Sequence, residues 1–150
     1  MAIYDAMFVF SDDQLITGDA VSTNVLDWGE GMEDLDMHAG RPLYLNVQVA
    51  DADFAGGTSL AIQICTHSAV GVGSGTILML SQTFAQAALT AGTPLISQTL
   101  PLGCDDERYF GLYYDDTGEF TAGGIDAWIG YEAIGQIQPT TQVGASNITL

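Results

Sequence analysis

The stretch that most constrains this chain is Gly40-Arg41-Pro42-Leu43-Tyr44-Leu45-Asn46-Val47-Gln48-Val49-Ala50. Leu43, Leu45, Val47 and Val49 take every second place, with Tyr44, Asn46 and Gln48 between them. Side chains of a strand alternate faces, so this pattern sets one face on a core and turns the other to solvent or to a partner. Gly40 and Pro42 punctuate its start, where a missing N–H harms a ladder least. The same grammar recurs along the sequence, and no stretch has a convincing amphipathic helical period. Phe84-Ala85-Gln86-Ala87-Ala88-Leu89 comes nearest, and it is too short for more than a crossover turn.

Eight strands are expected, at Ala2–Phe10, Val21–Trp28, Leu43–Val49, Ser59–Thr66, Thr76–Thr83, Pro94–Leu100, Arg108–Asp115 and Gly124–Ile134. Glycine-rich or aspartate-rich breakers separate them, among them Gly71-Val72-Gly73-Ser74-Gly75 and Asp115-Asp116-Thr117-Gly118. The expected architecture is all-β, an eight-stranded jelly-roll sandwich of two antiparallel sheets. In that winding strands 1, 8, 3 and 6 share one sheet and 2, 7, 4 and 5 the other, so Leu43–Val49 lies beside Ile125–Tyr131. Trp128 then stands on the outward face, unless a bulge at Gly123-Gly124 flips the register and buries it. From Gly135 the sequence turns polar and Gln/Thr-rich without alternation. The division is a domain over residues 1–138 and a C-terminal arm over 139–150.

Charge narrows the function. Nineteen acids face two bases, Arg41 and Arg108, with no lysine, for a formal net charge of −17. Nucleic-acid binding requires cations that displace phosphate counterions, and an anionic membrane surface repels such a chain, so neither partner is expected. The bland role of the acids is solubility through mutual repulsion. Hydrophobic residues make up 47% of the sequence, which suits a packed core in a chain of 150 residues. No apolar run is long enough to span a bilayer, and the N-terminus has no basic leader region, so a soluble protein is expected.

Catalytic chemistry is hard to assemble. His38 and His67 are the only histidines and form no paired ligand motif. No G-x-S-x-G is present, and the Gly71–Gly75 loop lacks the lysine of a phosphate loop. Asp12-Asp13, Asp105-Asp106-Glu107 and Asp115-Asp116 offer hard oxygens to calcium but not at EF-hand spacing, and aspartates in turns more often bond nearby backbone. Cys65 and Cys104 are two isolated cysteines, expected as reduced apolar residues. The expectation is a non-enzyme with no cofactor and no metal.

Five blocks, in this order, carry a resemblance. They are Phe8-Val9-Phe10-Ser11-Asp12 with Gln14 and Ile16-Thr17; Ser22-Thr23-Asn24-Val25-Leu26-Asp27; Gly40-Arg41-Pro42-Leu43-Tyr44-Leu45; Arg108-Tyr109-Phe110-Gly111-Leu112-Tyr113-Tyr114; and Phe120-Thr121-Ala122-Gly123-Gly124-Ile125. Together, from about Ala2 to Gln138, they resemble the small capsid cement (decoration) proteins of certain short-tailed bacteriophages. The chain departs from that family in its scarcity of cations and in its tail beyond Gln138. The resemblance implies a jelly-roll subunit made in the host cytoplasm and carried on the outside of an icosahedral head. It implies a subunit that self-associates and bridges major capsid proteins, without catalysis or cofactor.

Interfaces favour aromatics and arginine, so Tyr44 and Trp128 on adjacent strands are the first contact candidates. Arg41 and Arg108 are the cations able to hold a carboxylate with two parallel bonds, either a partner's or one of the chain's own. Ile148 and Leu150 of the arm add apolar anchors, each gaining roughly 1.5–3 kcal/mol on burial. A two-fold homodimer is expected ahead of a trimer because two-fold symmetry is commonest. The rival is a lectin-like carbohydrate-binding module, in which exposed Tyr44 and Trp128 serve as stacking platforms.

Overall fold

Ten strands in two antiparallel sheets form a computed structural model that describes residues 8–30 and 42–134. They are β1 (Val9–Leu15), β2 (Ala20–Val21), β3 (Leu26–Asp27), β4 (Tyr44–Val49), β5 (Ser59–His67), β6 (Thr76–Leu80), β7 (Phe84–Ala85), β8 (Pro94–Thr99), β9 (Tyr109–Thr117) and β10 (Gly124–Gly130). One sheet runs β1-β10-β4-β8. The other runs β2-β9-β5-β6, with β3 also on β9 and β7 also on β5. Among the described residues no helix is long and apolar enough to cross a membrane.

The alternation in Leu43–Val49 does what its period dictates. Leu45, Val47 and Val49 face Ile129, Ala127 and Ile125 across the β4–β10 ladder, and all six point into the core. Leu60, Ile62 and Ile64 of β5, with Phe110, Leu112 and Tyr114 of β9, close the core from the other sheet. Phe10 meets Phe110 edge-on, with ring centres 5.7 Å apart. Tyr114 is fully buried with a polar tip that must be satisfied. Ser11 Oγ lies 2.7 Å from its hydroxyl and donates its own proton to Gln14 Oε1 at 2.6 Å. Tyr114 is therefore the donor to Ser11, and this bond ties β9 to β1 through the core.

Three expectations are corrected. Ten strands stand where eight were expected. The Val21–Trp28 segment splits into β2 and β3, because Asn24 turns from β9 toward β1 and bonds the carbonyls of Phe10 and Val9. Ser22 holds the gap, accepting the Leu112 N–H on its own Oγ. Phe84–Ala85 adds a short strand before the turn Gln86–Ala88.

The first strand lies later than Ala2–Phe10, of which residues 2–7 fall outside the described residues. Asp12-Asp13 reads as a turn, yet β1 runs through it by two register shifts, with Asp13 at φ 47° and its N–H on Asp126 Oδ1. The last strand ends at Gly130 rather than Ile134, because the chain turns back at Tyr131. Gly123 does not flip β10: Ile125 still faces inward, and the glycine supplies φ +119° at the entry to the strand.

At that end of the sandwich Phe54 and Phe120 meet edge-on at 4.8 Å, and a Cβ on Gly123 would collide with the Phe54 ring. Gly92 has φ +74° but open space around it. Gly92→Ala therefore pays for backbone strain alone, about 1 kcal/mol, while Gly123→Ala adds overpacking for a total on the order of 3 kcal/mol. Urea denaturation of both variants beside the wild type should give that ranking.

Candidate interaction surface

Tyr44, Asn46 and Gln48 stand on the outer face of β4, beside Gly130, Trp128 and Asp126 of β10. Tyr44 and Trp128 thus share one face of adjacent strands, as expected. They differ in access. Tyr44 is half-buried, whereas Trp128 is only 7% exposed despite its outward register. Its indole lies over Gly130, where an added Cβ would sit 3.6 Å from Cδ1 and Nε1 of the ring.

After β10 the chain crosses this outer face. Asn46, 0% exposed, donates from Nδ2 to the Glu132 carbonyl at 2.9 Å. Its Oδ1 accepts from Ser97 Oγ at 2.8 Å and from the Ile134 N–H at 3.2 Å. The Ile134 N–H also reaches Ser97 Oγ at 2.9 Å. One buried asparagine therefore clasps residues 132–134 onto β4 and β8. Trp128 is neither an open platform nor a residue flipped inward. It faces out of the sandwich on the same sheet face that this returning segment crosses.

Arg108 is elsewhere. It precedes β9 in the other sheet and grips Asp27 of β3 with two bonds, Nε to Oδ1 at 2.7 Å and Nη2 to Oδ2 at 2.9 Å. Its guanidinium lies 5.0 Å from the centre of the Tyr109 ring. The Asp27 carboxyl is held below its usual value of 3.8 by the Arg108 bonds first and the Gly29 N–H second. Arg41, Ile148, Leu150 and the 139–150 arm lie outside the described residues.

Aspartates hold loops by their backbone. Asp19 accepts the Asp116 N–H, Asp53 that of Ala91, Asp116 that of Phe120, and Asp126 that of Asp13. The turn role expected for Asp115-Asp116 holds for Asp116. Cys65 and Cys104 are free and buried, as expected, and burial pushes both thiols up, Cys104 to about 12. Cys65 points to the outer face of β5, where the turn Val72–Ser74 closes over it and Gly111; a Cβ at Gly111 would come within 3.0 Å of Val72.

The opposite flank shows what the sequence reading missed. From Phe54 to Cys104 the chain carries no Asp, Glu, Lys or Arg. This span supplies β5 to β8, including one of the two outer strands of each sheet, β6 and β8. Gln98 donates to Met79 Sδ between them, and Met79–Gln82 with Leu95–Gln98 line a cleft of about 330 Å³. Ile77 and Leu80 of β6 remain 53% and 59% exposed. The signal available in the sequence was the gap in charge rather than any motif.

Two measurements probe these arrangements. Asn46→Ala strands the Glu132 carbonyl and should cost about 1–3 kcal/mol while freeing Trp128. In a Trp28→Phe background its emission should shift red and its acrylamide quenching rise. Asp27→Asn should lower stability by an amount that is constant above pH 3.8 and shrinks as pH falls further. A depressed carboxyl pKa favours the fold above its unfolded value and loses that advantage once protonated. Thermal midpoints of both proteins across acid pH give the difference.

No curated protein matches the chain. The model of the Bbp16 family matches residues 10–129, from β1 into β10 and across both sheets, and the chain belongs to that family.

Proposed function

We propose that this protein is a bacteriophage capsid cement (decoration) protein. It sits on the outside of the head, self-associates and bridges neighbouring major capsid subunits, so that the shell resists the pressure of packaged DNA. The observation that carries this reading is the strand order. With β2 and β3 counted as one broken strand and the short β7 set aside, the two sheets follow the orders 1-8-3-6 and 2-7-4-5 of an eight-stranded jelly roll. That is the winding implied by the resemblance that the five sequence blocks carry. Membership of the Bbp16 family agrees with a phage origin.

The physical chemistry is compatible with the role. An outer-shell protein never meets the packaged DNA, so a net charge of −17 does no harm there. Cementing needs little affinity per copy, because linked subunits hold each copy at high local concentration. In this reading the protein has no catalytic role and takes no cofactor, nucleic acid or membrane. The carbohydrate-binding alternative loses its main support with Trp128, whose ring is too covered to stack on a sugar.

Docking depends on apolar contact more than on charge, since Arg108 is already engaged with Asp27. Titration onto undecorated heads should show binding unchanged or strengthened by added salt, because screening relieves like-charge repulsion. Deletion of residues 138–150 should weaken it. Binding that collapses as salt rises would contradict this docking mode.

A further inference from the structure

Edge strands expose unpaired N–H and C=O groups and are normally defended. Three of the edges here are. β1 carries the exposed Asp12 and Asp13 and two register shifts. β8 opens on Pro94, and its Ser97 takes part in the Asn46 clasp. β2 and β3 are two residues long each. β6 reads Thr76-Ile77-Leu78-Met79-Leu80, with no charge and no proline, and its register shift toward β5 is its one irregularity. Among the described residues its one strand neighbour is β5, and Ile77 and Leu80 are more than half exposed.

We propose that β6 is the edge through which two copies of this chain pair. The strands run antiparallel about a two-fold axis, and the two β2-β9-β5-β6 sheets become one continuous sheet. Ile77 and Leu80 of each copy are covered by those of the other. An antiparallel strand pair is self-complementary, so a two-fold axis satisfies both edges with one surface.

Charge selects the occupant. Each copy carries −17, and close approach through β1, β2 or β3 sets Asp12, Asp13, Asp19 or Asp27 against their own kind. The span Phe54–Cys104, β6 included, carries no charged side chain of its own, and the carboxylate that comes near β6 is that of Asp106, whose Oδ2 lies 2.8 Å, and Leu78 Cδ2 3.5 Å, from the position a Cβ on Gly103 would take. A cationic partner would be drawn to the acidic flank instead. Asp53 and Asp105 border the span in sequence and Asp106 follows, so residual repulsion makes the dimer tighten with salt. This deepens the self-association in the proposed function and rests on that part of it, not on the capsid contact.

The test is the solution mass of the full chain, by sedimentation equilibrium at low and high salt. The expected result is twice the 15.8 kDa of one chain, with tighter association at high salt. Ile77→Asp and, separately, Leu80→Asp should weaken association by on the order of a hundredfold, since each sets buried carboxylates against one another. Leu15→Asp, on the β1 edge at 59% exposure, should leave it unchanged. Amide exchange over residues 76–80 should slow as wild-type protein concentration rises, which reports backbone pairing without any substitution. A wild type that stays monomeric, a dimer that survives both β6 substitutions, or β6 amides indifferent to concentration would each overturn the proposal. So would an Ile77→Asp protein that keeps its dimer and loses only its binding to heads. Intact dimers that ignore heads altogether would instead overturn the cement reading and leave this one standing.

Discussion

The β4–β10 ladder is the constraint on which the rest depends. It joins Tyr44–Val49 to Gly124–Gly130, so β5 to β9 form an excursion that begins and ends on the same pair of central strands. Closing a loop of that size costs entropy before any of its contacts form. The compensation is concentrated on the ladder itself, where Leu45, Val47 and Val49 meet Ile125, Ala127 and Ile129 with at most 3% exposure. The excursion then packs back as β5 and β9, whose ladder runs from Ser59–Thr117 to His67–Tyr109 and forms the spine of the second sheet. Dominated by such distant pairings, the fold is expected to form slowly for its size.

What the sequence made legible follows from period. A two-residue repeat announces a half-buried strand wherever one face is apolar, and β4, β5 and β9 announce themselves in this way. The same repeat predicts which face looks inward, and Leu45, Val47 and Val49 obey. It cannot predict what lies over the outward face. Trp128 has the parity of an exposed residue yet is only 7% exposed, and Asn46 looks like an ordinary outward polar residue until the chain returns across it. β1 was misplaced for a related reason: Asp12-Asp13 has turn composition, and only the tertiary bond from the Asp13 N–H to Asp126 lets a strand continue through it. The β6 edge escaped notice because it bears no motif, and its signature is the absence of charged residues over a long span.

The acid excess has more than one function within a single chain. Asp19, Asp27, Asp53, Asp116 and Asp126 accept backbone N–H groups that loops would otherwise leave to solvent. A carboxylate does this with a stronger, charge-assisted bond than a neutral side chain. The same groups set the like-charge field that keeps copies apart everywhere they face one another. Structure and spacing are thus served by the same side chains, and the uncharged flank stands out against that background.

Chemical reactivity follows from the two buried thiols. With no lysine in the sequence, cysteine would be the chain's readiest side-chain nucleophile. Cys65 and Cys104 are enclosed, and their burial favours the neutral thiol, which neither attacks electrophiles nor oxidises as a thiolate does. The chain's two thiols are thereby shielded from disulfide exchange and from thiol-directed reagents for as long as the sandwich stays folded.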